Sequence, residues 1–243
     1  GEDIHGQQVA ASCQELGIDA SHVLRVPGGT TSTYLYIADP QGEMVLAVSD
    51  MEICNQITPS YLAANLSTLQ NAQVGVTDTN IPRESLDYLA GNCTAPLFCD
   101  PVFTQKAEKL LPILHRIHTL KPNRVEAELL SGVSITSRQE AEKAAWVLLD
   151  KGVQRVFLSM GGQGIYAAQA DEHLWVDVIP GNMVSTTGCG DSAAAALAWA
   201  YMEGLELEEA ARACGAAGSL TMESAETINP AISSTLPQSR MRP

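Results

Sequence analysis

The sequence predicts an α/β domain, a mainly parallel central sheet with helices on both faces plus a small β-lid. Three observations predict it. From Thr58 onward, helical stretches alternate with short apolar runs at the spacing of repeated βα units. Before that point, Ser32 to Ala38 and Glu43 to Ser49 are β-rich and joined by the turn signal Asp39-Pro40-Gln41-Gly42. Near the end, two Ala-rich helical runs follow a glycine-punctuated stretch, Ser185-Thr186-Thr187-Gly188-Cys189-Gly190-Asp191-Ser192.

The 243 residues suit a single domain, expected over 1–230 with 31–53 as the lid insertion and 231–243 as a polar tail. Hydrophobic residues make up 45%, enough for a sizeable core. Lys and Arg number 14 against 28 Asp and Glu, a formal net charge of −14. Such a chain repels nucleic acid and anionic membranes, so no partner of either kind is expected. The six cysteines form no CxxC pair and no zinc-like spacing with histidine, which fits reduced thiols. No apolar run reaches membrane-span length and no signal peptide is visible, so a cytoplasmic protein is expected.

In chain order, Gln8 to Leu16 has helical periodicity, with Val9, Ala10, Cys13 and Leu16 on one face and Gly17 as the stop. Thr31, Thr33, Tyr34 and Tyr36 put polar and aromatic groups on the first lid strand. Asp50 ends the second, where it can accept from a ligand's donors or stand as a solvated acid. Thr58-Pro59 opens a helix as cap and first residue. Gln73 to Val76 reads as a buried strand, Pro82 to Leu89 as a helix and Pro96 to Cys99 as a strand. Lys106 to Ile117 reads as a helix and His118 to Lys121 as extended chain running into Pro122. Ser137 to Lys151 is amphipathic, with Ala141, Ala144, Ala145, Leu148 and Leu149 on its apolar side. Arg155 to Met160 is a strand entering Gly161-Gly162-Gln163-Gly164, and a hairpin follows over Ile165 to Ala168 and Leu174 to Val178. Asp191 to Met202 and Leu207 to Met222 are the last helices.

In such sheets ligands gather at the carboxyl ends of the strands, where Asp100, Lys121, Asn123 and Glu126 are expected. Asn123 and Glu126 share a face at a helix start. They can order water around Mg²⁺, or simply form a capping box. The Gly188–Asp191 stretch, expected to follow a strand, reads as a turn opening a helix, whose free N–H groups favour an anion. Asp191 beside them suits a general base for phosphoryl transfer, though an acid in a helix's first turn is also simply stabilising. Cys189 at that helix start is expected to gain thiolate character. The small residues of Cys214 to Thr221 fit either an adenine slot or a tight helix interface. No Walker-type loop is present.

Thr187-Gly188-Cys189-Gly190-Asp191 resembles the Thr-Gly-Ala-Gly-Asp signature of the ribokinase-like (PfkB) carbohydrate and nucleoside kinases, with Cys189 in place of Ala. Asn123-Arg124-Val125-Glu126 is similar to the family's Asn-x-x-Glu, and Ser159 with Gly161, Gly162 and Gly164 to its Thr-x-Gly-x-x-Gly. Gly1-Glu2-Asp3-Ile4-His5-Gly6 resembles the family's Gly-x-Asp-x-x-Gly. The likeness runs from Gly1 to about Pro230. It implies a ribokinase-like fold in which the N-terminal βα segment, carrying the first strand, a sugar-contacting Asp and a Gly-Gly motif, is missing.

The resemblance also implies roles. Asp191 would be the base, with the amides of Gly188, Cys189 and Gly190 as the anion hole. Asn123, Ser159, Gly161, Gly162, Gly164 and Thr187 would bind ATP, and Glu126, through water and with Asn123, would place Mg²⁺. Many members use K⁺ held partly by an Asp where this chain has Ser185, a departure that counts against a K⁺ requirement. The lid strand with Thr33, the pair Asp50-Met51, Asp100-Pro101-Val102 and the run His118 to Glu128 are similar to the pseudouridine kinases within the family. That places Thr33, Asp50 and Met51 at the nucleoside and makes the 5′-hydroxyl of pseudouridine the expected acceptor. Ribose, fructose or a purine nucleoside is the alternative acceptor, and a non-catalytic nucleotide-binding or assembly module the alternative class. A homodimer through the lid is expected.

Overall fold

The computed structural model describes residues 1–39 and 44–233. The Pro40-Gln41-Gly42 part of the expected lid turn, Glu43 and the tail beyond residue 233 lie outside the described residues.

Helix α1, Ile4–Glu15, starts four residues earlier than its apolar spacing suggests because Asp3 caps it. One Asp3 oxygen accepts the Gly6 N–H at 2.8 Å and the Thr31 hydroxyl at 2.6 Å, and the other accepts the Thr31 N–H at 2.7 Å. Those hydrogen bonds, Thr31's first, hold its carboxyl far below the usual range. The expected apolar face is not buried: Val9 is 56% and Leu16 70% exposed. Periodicity marks a face but does not say what packs on it.

The lid is an antiparallel pair, β1 (Thr33–Ala38) and β2 (Met44–Asp50), with Thr33 opposite Asp50 and Tyr36 opposite Ala47. A 3₁₀ turn over Glu52–Gln56 leads to α2 (Pro59–Ala64) and α3 (Leu66–Asn71). Thr58 caps α2 as expected, its hydroxyl oxygen accepting the Tyr61 N–H at 3.3 Å.

The main sheet then runs β3 (Gly75–Asp78), α4 (Arg83–Asn92), β4 (Leu97–Asp100), α5 (Thr104–Ala107), β5 (Ile117–Leu120), α6 (Arg124–Ser131), α7 (Arg138–Asp150), β6 (Arg155–Ser159), β7 (Ile165–Gln169), β8 (Glu172–Val176), α8 (Cys189–Met202) and α9 (Leu207–Met222). Strand order follows the sequence from β3 to β8. The first four strands are parallel and the last two antiparallel. Helices α4, α6 and α7 pack into the core on one face of this sheet, and α8 and α9 into the core on the other.

Side-chain alternation along the strands builds both cores. In β6, Val156 and Leu158 enter a cluster with Leu86, Leu110, Leu130 and Leu148, while Phe157 enters one with Leu197, Ala200, Leu207 and Ala211. In α7, Ala141, Ala144, Ala145 and Leu148 of the predicted face are fully buried, and Leu149 is half-buried against the same cluster. Truncating Leu148 to Ala would cost about 2–5 kcal/mol.

Three sequence expectations need correction. Lys106 to Ile117 is not one α-helix: after α5 the chain tightens to a 3₁₀ helix over Glu108–Arg116, and Ile117 already belongs to β5. Pro112 lies inside it and has no N–H for an α-helical bond. The strand expected at Gln73 to Val76 lies two residues later, at Gly75–Asp78, and is half-exposed, Val76 being 60% open; among the described residues β4 alone pairs with it. No strand immediately precedes Ser185, since β8 ends at Val176 and the chain from 177 to 184 is irregular.

Candidate active site

The carboxyl ends of β4, β5 and β6 and the start of α8 converge on a cleft of about 1070 Å³. Asp100, Lys121, Asn123, Glu126, Ser159 and Asp191 line it, with Gly161, Gly162, Gly164, Cys189 and Gly190. The structure thus brings together most of the site residues expected from sequence. Thr33, Asp50 and Met51 do not line this cleft, and neither do Thr187 and Gly188 of the loop before α8. Asp50 instead accepts the Glu52 N–H at 3.1 Å, and the Thr33 hydroxyl donates to the Thr31 carbonyl at 3.3 Å.

The loop before α8 is shaped by Gly188, which caps the helix at φ 84°. A Cβ there would lie 2.0 Å from the Thr227 carbonyl oxygen, so glycine is required both by conformation and by contact. The Ser192 N–H donates to the Gly188 carbonyl at 2.9 Å and starts the helical ladder. Of the three amides expected in the anion hole, Cys189's is already committed, donating to the Thr186 carbonyl at 3.3 Å. The Gly188 and Gly190 amides have no backbone acceptor among the described residues. The Thr187 N–H donates to the Ser185 hydroxyl oxygen at 3.2 Å, so Thr187 shapes the loop.

Burial, followed by repulsion from Asp100, raises the Asp191 carboxyl above the usual range, with Lys121 opposing. Burial likewise pushes the Cys189 thiol up, and Asp191 adds to it. The expected thiolate character is therefore reversed, because desolvation outweighs the favourable helix start.

Asn123 and Glu126 form a reciprocal capping box on α6: Asn123 accepts the Glu126 N–H at 3.0 Å and Glu126 accepts the Asn123 N–H at 2.9 Å. Glu126 is 2% exposed, and its carboxyl is raised mainly by burial. The capping role is shown; it occupies one Glu126 oxygen. Ser159 bridges to Asn123 across the ends of β5 and β6, and its N–H donates to the Pro122 carbonyl at 2.9 Å. The Gly161–Gln163 turn closes at Gly164, where φ is 92° and a Cβ would lie 2.1 Å from the Val176 carbonyl oxygen. Arg138 pins this turn, donating to the Gln163 carbonyl at 3.0 Å and to Asp177 at 2.9 Å while stacking 4.5 Å over Trp175.

Sequence reasoning placed Asp100 and Lys121 at strand ends but gave them no role. They form an ion pair at 2.9 Å, and a Cβ on Gly190 would be 3.6 Å from the Lys121 ammonium. Only the long-range register of β4 against β5 brings them together, which no local pattern reports. The lid also reaches the loop: the Tyr36 phenol hydrogen-bonds Ser185 and Thr187, which lowers its pKa.

The family model described as pfkB family carbohydrate kinase matches residues 1–234. Pseudouridine kinase of Escherichia coli (strain K12) is 38% identical over 235 residues, 96% of this chain and 75% of that protein. A putative sugar kinase from Clostridium perfringens superposes with a TM-score of 0.86 at 29% identity, over 99% of this chain and 77% of its own. The Arabidopsis thaliana ribokinase complexed with ribose and ATP gives a TM-score of 0.80 at 21% identity, over 100% of this chain and 80% of that one, a likeness of fold alone.

Proposed function

The chain belongs to the pfkB family of carbohydrate kinases, phosphotransferases with an alcohol acceptor, and from that premise we propose that it transfers the γ-phosphoryl group of ATP to the 5′-hydroxyl of pseudouridine. The carrying observation is the placement of Asp191. It stands at the first turn of α8 beside the uncommitted Gly188 and Gly190 amides, in a cleft at the sheet's carboxyl ends. Its raised pKa suits a base that takes a hydroxyl proton.

In this reading the acceptor hydroxyl loses its proton to Asp191 as its oxygen bonds to the γ-phosphorus. The Gly188 and Gly190 amides hold the charge on the equatorial oxygens, the Cys189 amide serving the turn instead. The glycine turn at 161–164, Ser159, Asn123 and Thr187 border the nucleotide. Among the described residues no cluster of three metal-ligating side chains exists. One buried carboxylate, Glu126, with Asn123 beside it, fits Mg²⁺ held through water and the nucleotide's own phosphates. The metal would supply charge neutralisation there. Ser185 carries no charge, which disfavours K⁺ dependence.

The 38% identity to a pseudouridine kinase supports the acceptor. Thr33 and Asp50, paired at the lid base, would contact the nucleoside with Met51. The lid's other property supports dimerisation. Leu35, Ile37, Leu46 and Val48 share the face opposite Tyr36 and are 56–67% exposed. A second copy covering that face would bury it. Replacing Leu46 by Glu is expected to leave a monomer by light scattering.

The test of the acceptor is ADP release from Mg·ATP with pseudouridine, uridine, adenosine, ribose and fructose in parallel. Turnover with pseudouridine at least ten times that of the others is expected. Preference for a sugar or a purine nucleoside would overturn the acceptor, and ATP binding without turnover of any would favour the assembly-module alternative.

A further inference from the structure

Lys121 is a basic side chain set unusually deep in this acidic chain. It is 7% exposed, and among the described residues its ammonium has one partner, Asp100 at 2.9 Å. An ammonium carries three donors, so two N–H groups are uncommitted in a nearly closed site, which is costly unless something comes to accept them. The site is the cleft itself: the ammonium lies 3.6 Å from where a Gly190 Cβ would be, at the first turn of α8. The other basic residue lining the cleft, Arg124, is turned away to Glu128 at 3.4 Å and the Ile135 carbonyl at 3.2 Å.

The pair is also held by an unfavourable backbone. Val102, a β-branched residue, sits at φ 60°, in the left-handed region that such residues avoid. This conformation lets the Val102 N–H donate to one Asp100 oxygen at 3.0 Å while the other oxygen faces Lys121. The Lys121 N–H donates to the Cys99 carbonyl at 3.1 Å, fixing the stem as well. Strain kept at such a spot is characteristic of functional sites.

We propose that Lys121 is a further catalytic residue, gripping the γ-phosphoryl group with the two N–H donors that Asp100 leaves free. The inference rests on the kinase reading above. As the acceptor oxygen–phosphorus bond forms, the bond from phosphorus to the β,γ-bridging oxygen breaks. The hydroxyl proton goes to Asp191 and ADP leaves with the electron pair. Lys121 exchanges no proton; it offsets the negative charge spread over the transferring group, and Asp100 aims it.

The competing role for Lys121 is to neutralise a buried Asp100. Replacing Lys121 by Met alone confounds the two roles, because it strands that carboxylate and can unfold the chain. The decisive variant is therefore Lys121→Met with Asp100→Asn, which removes both charges. Affinities for Mg·ADP and for Mg²⁺ with the non-hydrolysable β,γ-imido analogue of ATP are measured by calorimetry. A lost charged hydrogen bond predicts that the preference for the triphosphate falls roughly 10- to 100-fold relative to the parent, with Mg·ADP affinity kept. A preference within twofold of the parent's would overturn the catalytic role and leave the kinase reading standing. A parent chain that binds neither nucleotide would overturn the kinase reading and this inference with it.

Discussion

Replacing Gly188 by Ala probes the loop on which the site depends. Gly188 has φ 84°, and an added Cβ would meet the Thr227 carbonyl oxygen at 2.0 Å and two further Thr227 atoms at 2.9 Å. Ordinary contact begins near 3.4 Å, so loop or carbonyl must move by more than an ångström. The left-handed conformation costs alanine about 1–2 kcal/mol. Overpacking adds about 1–3 kcal/mol, and the stiffer unfolded chain returns about 0.4–1 kcal/mol. The net loss is roughly 1–5 kcal/mol, or about 2–20 °C in melting temperature for a chain of this size. Gly132→Ala is the control: at φ 79° it carries the same conformational cost, but nothing lies within 4 Å of its Cβ. The two variants should differ by the contact alone. Because a displacement of an ångström at the reacting atoms costs about 10²-fold, Gly188→Ala should also lose turnover while Gly132→Ala keeps it. Thermal melts and steady-state ADP release read both. If Gly188→Ala melts with Gly132→Ala and turns over within threefold of the parent, the assigned loop geometry is wrong.

Five other outcomes are expected. With Asp191 raised above the usual carboxylate range and active as its anion, kcat/KM should fall as pH drops through that raised value. Asp100→Asn removes a repelling charge and frees Lys121, so this acid limb should move to lower pH; a move upward would contradict the coupling. Glu126→Gln keeps an oxygen for the cap on α6 but removes the charge, so the Mg²⁺ midpoint should rise about 10- to 100-fold with little change in melting; an unchanged midpoint would leave Glu126 a cap only. Arg138→Ala should raise the KM for ATP severalfold and change stability by no more than about 1 kcal/mol, its ion pair being exposed; an unaltered KM would free the glycine turn from that anchor. Cys189, its thiol pushed up by burial, should resist iodoacetamide at neutral pH, as mass spectrometry of its peptide would show; labelling faster than at the other cysteines would refute this.

How much of this the sequence disclosed depended on whether a feature is written locally. Strand alternation in Val156-Phe157-Leu158 and the alanine face of α7 carry their own periods, and both cores follow from them. Thr58-Pro59 announced a helix start because cap and first residue are adjacent. Asn123 and Glu126 were visible as a pair, and the structure shows the capping box that was one of their two readings. Pro112 stood in plain sight, yet the apolar spacing around it outweighed its missing N–H. The exposed side of α1 and the exposed Val76 of β3 were illegible because burial is decided by what packs opposite. The same holds for Cys189, where a helix start was readable and desolvation was not. Asp100 and Lys121 show the limit most clearly, since β4–β5 register makes them an ion pair at the cleft.

The measurement that bears most directly on the whole account is turnover of Asp191→Asn beside the parent, with pseudouridine and Mg·ATP, and with Mg·ADP affinity measured on both. A general base at this position predicts a fall of about 10²- to 10⁴-fold in kcat with nucleotide affinity nearly unchanged. Near-parental turnover by the folded variant would contradict the assignment of Asp191, and with it the chemistry placed in this cleft.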